Sequence, residues 1–589
     1  MPIFSASDPR FETWTHRNPD GYVLVTTRNP KPLSLVLHSA RCDALAEVSS
    51  TPQSSDEYMR LCSVRYEDIR QWVDAQGFGR PPIETCSHCK VAEPNLEMEW
   101  WPWCYPILRH GRDPSAWASE QDTPLFASRV TLRPLTIVIE AHLLERSNED
   151  PIIEYLLELT QTQPIRRFFY GGDDPPPDAV AYRVPWSDSI VADGWLLSRS
   201  GRHDHIRDIY YIEDNKIHSR GYWLKDPRHI FLEILPTPKS YQNDVQASER
   251  MRDDLHRLLA AETINADLLV TDRDYLLENN LKLAESTSAV SPTIALRLVG
   301  LYLRLQNIYK VNRFSRLGRG LFYEAAMREM IPASWSWAGG CALLYQAGND
   351  PDLVFLSGST LDRASRALRS RDRLLAASSV PQNEDTADEV LAELDQICLS
   401  LMGALDASAQ IAHLLFDLAG DHNYAAWQRD SKGGWLNKLK SHNEELASLV
   451  SEGSRGKNVL TILGEVRNTI HGQSLSPARF ETESRRIELF ALLPVHRRRK
   501  VLDAIDASGG RLAWGVYGLS DETYRVHPGE FGDQLLSETL YLVNQLMESM
   551  SIDDLLNSDQ RSKLPKRPID ASNPYSEYHG QRVRWQLGL

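Results

Sequence analysis

Residues 389–420, EVLAELDQICLSLMGALDASAQIAHLLFDLAG, constrain the fold of this chain most strongly. Apolar side chains recur at helical spacing along the whole stretch, so it reads as one long amphipathic helix. Such a helix needs partners of comparable length over its apolar face. The chain supplies them: 433–450, 459–475 and 533–556 carry the same periodicity with short connections. Residues 389–557 therefore read as a helical bundle of four or five members.

The 459–475 helix, VLTILGEVRNTIHGQSL, also carries chemistry. Val459, Leu463, Val466 and Ile470 form its buried stripe. Arg467 and His471 lie one turn apart beside that stripe, and Gly472 follows as a helix-ending residue. A guanidinium and an imidazole sharing one turn can bind an RNA phosphate and move a proton at a 2′-hydroxyl. The motif Arg467-Asn468-x-x-His471-Gly472, set among long amphipathic helices, resembles the HEPN superfamily. Members are small, often homodimeric, all-α bundles, many of them metal-independent ribonucleases. The resemblance implies catalytic roles for Arg467, Asn468 and His471, with no cofactor. The interval between Arg467 and His471 is three residues, where the family's ribonucleases carry four to six. The segment 486–519 has alternating character and reads as a hairpin or lid inserted in the bundle. Its basic run, Arg497, Arg498, Arg499 and Lys500, is the candidate RNA contact.

At the other end, residues 1–115 read as a small β-containing unit. GYVLVTT and LSLVLHSA form a hairpin joined through RNPKP. Five of the seven cysteines precede residue 105, including the CSHC knuckle. Cys42, Cys62, Cys86 and Cys89 fit a structural Zn²⁺ site, with His38 as a substitute ligand. The tryptophan-rich EWWPWCYP reads as a cap on this unit's core or on an interface.

Residues 125–290 read as an α/β domain. LTIVIEAHLLE is a buried strand ending on Glu140, and ADLLVTDRDYLL is a later strand followed by a helix. Acidic residues at strand ends beside helix starts are where such folds gather ligands for a hard cation. The pattern resembles PIN-like nuclease domains. That resemblance implies a Mg²⁺ or Mn²⁺ site built from Glu140, Asp254, Asp272 and Asp274, with Glu140 standing where the family has Asp. Residues 291–377 read as a helical connector starting from a Ser-capped helix, 378–388 as a linker and 558–589 as a polar, partly mobile tail.

The fold class is thus multidomain α+β: a Cys-rich N-terminal β-containing domain, a PIN-like α/β domain and a C-terminal HEPN-like bundle. A net charge of −15 argues against broad, tight nucleic-acid binding, while leaving room for a local basic cleft. There is no Gly-rich phosphate loop, Gly-x-Ser-x-Gly elbow or dinucleotide fingerprint. No run reads as a membrane helix and the N-terminus lacks signal-peptide character, so the expectation is a cytoplasmic protein without a membrane partner. Both resemblances imply an RNA-cleaving toxin or antiviral defence protein, homodimeric or higher, with RNA as substrate and a phage-derived trigger or an antitoxin as partner. The alternative is a catalytically silent dimerising scaffold or sensor.

Overall fold

A computed structural model describes residues 3–5, 11, 14–15, 22–27, 35–40, 42, 45, 58–63, 69, 73, 84–86, 133–171, 193–200, 206–213, 216–223, 241, 246–279, 283, 287–312, 316–380, 384–428, 434–472, 475–481, 487–493, 498–520, 523–570, 573 and 575–589. The chain forms two compact units, Met1–Glu99 and Trp100–Leu589. The tryptophan-rich segment lies outside the described residues.

The first unit is built on β1 (Ile3–Ser5), β2 (Tyr22–Thr27), β3 (Val36–Ser39), β4 (Tyr58–Ser63) and β5 (Glu84–Thr85), in the sheet order β1-β4-β2-β3-β5. The expected hairpin is present: β2 and β3 pair antiparallel, with Val23 opposite His38 and Leu24 opposite Leu37. Alternation sorts the side chains onto two faces. Leu24, Leu37 and Leu61 pack with Ile69 and Val73, while Val23 and Cys62 pack with Phe4, Phe11, Cys42 and Cys86.

The second unit opens with β6 (Leu135–Glu140), α1 (His142–Glu145), α2 (Pro151–Leu159) and β7 (Ile165–Tyr170). It continues through β8 (Gly194–Ser200), β9 (Ile206–Glu213), β10 (Lys216–Trp223), α3 (Ala247–Thr263), β11 (Leu268–Val270), α4 (Asp274–Glu278), β12 (Ser288–Val290) and α5 (Pro292–Leu305). The seven strands run β10-β9-β8-β7-β6-β11-β12. From β8 to β12 the neighbours are parallel, and β9 and β10 extend the sheet as an antiparallel hairpin. Every residue of β6 is buried, as a central strand covered on both faces requires. Ile137, Ile139 and Val270 pack against α2 and α5, and Val138, Phe168 and Leu269 against α3.

Helix α5 starts as its sequence predicts, with Ser291 Oγ accepting from Ile294 N at 3.3 Å and Pro292 in the first turn. It covers the sheet rather than connecting domains: Leu298 and Val299 share a core with Ile139. The stretch 291–377 is therefore divided between two layers.

Beyond the short ladder β13 (Tyr309–Lys310) and β14 (Arg316–Leu317), the chain is mainly helical: α6 (Arg319–Met330), α7 (Ser334–Gln346), α8 (Asp352–Ser378) and α9 (Glu384–Leu415). Next come α10 (Trp435–His442), α11 (Glu444–Ser448) and α12 (Arg455–Gly472). The predicted 433–450 helix is broken at Asn443, whose extended backbone and side-chain acceptor cap α11 at Leu446 N, 2.9 Å away. Helix α9 packs against α8, α12 and the later α14 (Pro528–Ser549). A single core runs from Tyr309 to Leu587, so the 378–388 linker is a short helix-to-helix connection inside one bundle. Helix α9 is long and apolar enough to cross a bilayer, contrary to the expectation from sequence, yet 72% of its most apolar window is buried within the protein. It is the central helix of the core.

Two further expectations are corrected. The C-terminal region is not all-α: β15 (Ser476–Glu481), β16 (Ile487–Leu492), α13 (Arg498–Asp506), β17 (Val516–Ser520) and β18 (Thr523–Val526) include a four-stranded antiparallel sheet of order β15-β16-β18-β17. The polar tail ends in α15 (Glu577–Leu587), which buries Val583 and Leu587 against the body. Arg582 pairs with Glu158 at 2.7 Å, tying this last helix to α2. Between layers, the buried Asp372 of α8 accepts from Arg304 Nη2 at 2.8 Å and from the Tyr323 hydroxyl at 2.6 Å.

Candidate functional site

Strand order reverses between β6 and β11: the chain leaves β6 toward β7 and β8 on one side and returns beside it at β11 on the other. In open α/β sheets, ligands bind at the carboxyl ends of the strands flanking such a reversal. Glu140 ends β6, and Thr271, Asp272 and Arg273 follow β11. At the opposite end of this strand pair, buried Asp267 binds Arg133 Nη1 at 2.8 Å and Thr136 N at 2.9 Å, fixing the β6–β11 register.

Glu140 is 2% exposed. Its carboxylate accepts from Thr271 Oγ1 and, at 3.2 Å, from Arg257 Nε, with Arg273 Nε at 3.5 Å and His142 Nδ1 at 3.4 Å. Burial pushes its pKa up, but the His142 contact, Arg257, Thr271 and Arg273 together hold it below the usual carboxylate value. Asp254 accepts from the Tyr241 hydroxyl at 2.8 Å and from Arg257 Nη1 at 3.3 Å, and burial lifts it to about 6. Asp272 binds His142 Nε2 at 2.8 Å and Arg146 Nη1 at 2.7 Å, and His142 chiefly keeps it low. His142 rises to about 9, first through its bond to Asp272 and then through Glu140. It is an imidazolium at neutral pH, held between two carboxylates.

Glu140 is thus linked to Asp254 through Arg257 and to Asp272 through His142, while Asp274 is exposed at the start of α4. They do not close into a metal-binding set. Each of the three has an arginine within 3.3 Å, and among the described residues the only close grouping of three ligand side chains is elsewhere. A Mg²⁺ or Mn²⁺ ion would have to displace guanidinium groups, so these residues do not fit the hard-cation site expected from sequence. The cations missing from that reading, His142, Arg146, Arg257 and Arg273, all stand within four positions of a predicted acid or of one another. Helical spacing from His142 to Arg146 and from Asp254 to Arg257 was the available signal.

The second candidate lies at the end of α12. Val459, Leu463 and Val466 are buried as the stripe predicted. Arg467 is half-buried and its Nη1 donates to Asn468 Oδ1 at 3.3 Å, while Asn468 is exposed. His471 stands one turn further along the helical backbone, and the side chains of His471 and Ile470 lie outside the described residues. Helix α13, carrying the basic run, packs against α12. Lys500 Nζ lies 3.4 Å from Glu465 Oε1, two positions before Arg467. Arg499 is exposed beside it, Arg498 is half-buried with its guanidinium 5.8 Å from the Tyr524 ring centre, and Arg497 lies outside the described residues.

In the first unit, His38, Cys42 and Cys86 are buried together, with ligand atoms within 4.8 Å of one another. Cys62 does not join them, and Cys89 lies outside the described residues. Burial raises the Cys62 thiol to about 12, which keeps it protonated. No family model matches this chain, and comparison with curated proteins and with solved structures gives no match.

Proposed function

We propose that this protein is a metal-independent endoribonuclease of the HEPN type, acting as a toxin-like or antiviral defence factor on RNA. Its active site is the end of α12. The packing of α13 on α12 supports this reading: Lys500 Nζ, 3.4 Å from Glu465 Oε1, brings described members of the chain's basic run to the helix that carries Arg467 and Asn468. Arg499 and Lys500 are exposed, so an otherwise acidic protein presents cations on the helix packed against α12. His471 moves the proton of the attacking 2′-hydroxyl, Arg467 stabilises the phosphorane charge, and Asn468 orients Arg467 through its side-chain oxygen. A homodimer would set two such pairs across one cleft, awaiting a phage-derived trigger or release by an antitoxin.

The test is cleavage of a mixed RNA pool by the purified chain, with and without EDTA, beside His471→Ala. EDTA-resistant cleavage lost in His471→Ala is the expected result. Cleavage untouched by that substitution overturns the assignment.

The saturated carboxylates at the sheet reversal favour a second reading. A PIN-like domain in which Glu140, Asp254 and Asp272 are each paired with arginine would be a silent scaffold, and the whole chain would then be a dimerising sensor. Absence of cleavage with every candidate trigger, together with a stable dimer, is its expected signature.

A further inference from the structure

Among all the titratable clusters of the described residues, one has the dimensions of a coordination sphere. The His38 Nδ1 to Cys42 Sγ distance is 3.4 Å and the Cys42 Sγ to Cys86 Sγ distance is 3.8 Å. A zinc tetrahedron, with bonds of about 2.3 Å to sulfur and about 2.05 Å to nitrogen, has S···S edges of about 3.8 Å and N···S edges of about 3.6 Å. The two sulfurs are far beyond disulfide range of each other, and both cysteines are buried.

The backbone dictates this grouping. Strands β3 and β5 are parallel with Leu37 opposite Thr85, and Cys86 N bonds Leu37 O at 2.9 Å, so His38 and Cys86 occupy the next rung. A turn closed by Cys42 N to Ser39 O, 3.0 Å, brings Cys42 back over that rung. Register also explains why Cys62 is left out. It pairs with Val23 on β2, and Val23 pairs in turn with His38, so a whole strand stands between them. At about 4.8 Å per strand, Cys62 is about 10 Å from His38 and beyond the reach of a shared ion.

We propose that His38, Cys42 and Cys86 bind a structural Zn²⁺ ion that holds the end of β3 to the end of β5 in the first unit. Three protein ligands leave one corner of the tetrahedron for a further ligand. Among the described residues, the core of this unit is two small clusters on either face of one sheet, the circumstance in which a metal ion substitutes for apolar burial. The ion is independent of the RNA site, so the inference stands or falls separately from the proposed function.

The test is zinc content of the full chain purified without chelator, measured by atomic emission. About one zinc per chain is expected. Cys62→Ser retains it, while Cys42→Ser and Cys86→Ser each lose it. Because those losses would also follow from misfolding, the wild-type chain is loaded with Co²⁺ in parallel: an intense thiolate-to-metal charge-transfer band with tetrahedral ligand-field absorption supports the site. Zinc-free protein that takes up no cobalt, zinc retained in Cys42→Ser/Cys86→Ser, or zinc lost only in Cys62→Ser overturns it.

Discussion

The His142 imidazole stands with Nε2 2.8 Å from the Asp272 carboxylate, which makes this histidine a bridge across the sheet reversal. Nδ1 of the same ring faces Glu140 at 3.4 Å. Since folding raises His142 to about 9, its stabilisation is complete below its ordinary value of about 6.5 and disappears as the pH rises through about 9. Asp272 is held below its ordinary value, so its contribution is complete at neutral pH and is lost toward the acid range. Melting temperature should therefore fall between about pH 7 and about pH 9.5, and His142→Asn should flatten that fall. A wild-type and variant that melt in parallel across this range would sink the charge-bridge account.

Arg455, at the start of α12, grips the fully buried Glu538 of α14 through two bonds of 2.7 and 2.8 Å. Truncating the arginine takes both charged bonds from a buried carboxylate, and the neutral amide of Gln534, 2.9 Å away, supplies no compensating charge. Arg455→Met should destabilise by about 2–4 kcal/mol, and adding Glu538→Gln should recover part of that loss. Urea denaturation of the single and double variants checks this. Equal stability of Arg455→Met and wild type would refute it.

The last helix is predicted to be structural. Leu587 is fully buried, so Leu587→Ala should cost about 2–4 kcal/mol. Removing residues 577–589 should do more, because Tyr155 and Glu158 of α2 lose Gln586 and Arg582 as partners. Thermal melts of the two variants should rank in that order. A truncated chain melting like the wild type would show the helix to be dispensable.

If the basic edge of α13 binds RNA, Arg499→Gln/Lys500→Gln should weaken binding without altering the fold. For a single-stranded RNA, each cation removed from a phosphate should reduce the slope of log K against log salt by about 0.7, so the double variant should lose about 1.4. Fluorescence anisotropy of a labelled RNA across a salt series reads the slope, and an unchanged slope would remove these residues from the interface.

Much of the local structure was legible from periodicity. The buried stripe of Val459, Leu463 and Val466, the Ser291 cap and the β2–β3 hairpin all follow from rules that act over one or two turns of chain. Glu140 at the end of a buried strand was legible for the same reason. What the acids face was not. Arg257 reaches Glu140 across 117 positions and His142 reaches Asp272 across 130, so only the strand order could show that guanidinium and imidazole groups occupy the expected cation's place. The choice of His38 over Cys62 likewise depends on register across three strands, because cysteine spacing is blind to which strand lies between. Layer membership followed the same logic: α5 joins the sheet and α15 joins the bundle core because their apolar faces meet surfaces made by distant segments. Helix, cap and hairpin are decided by neighbours in sequence; burial partners and charge compensation are decided by neighbours in space.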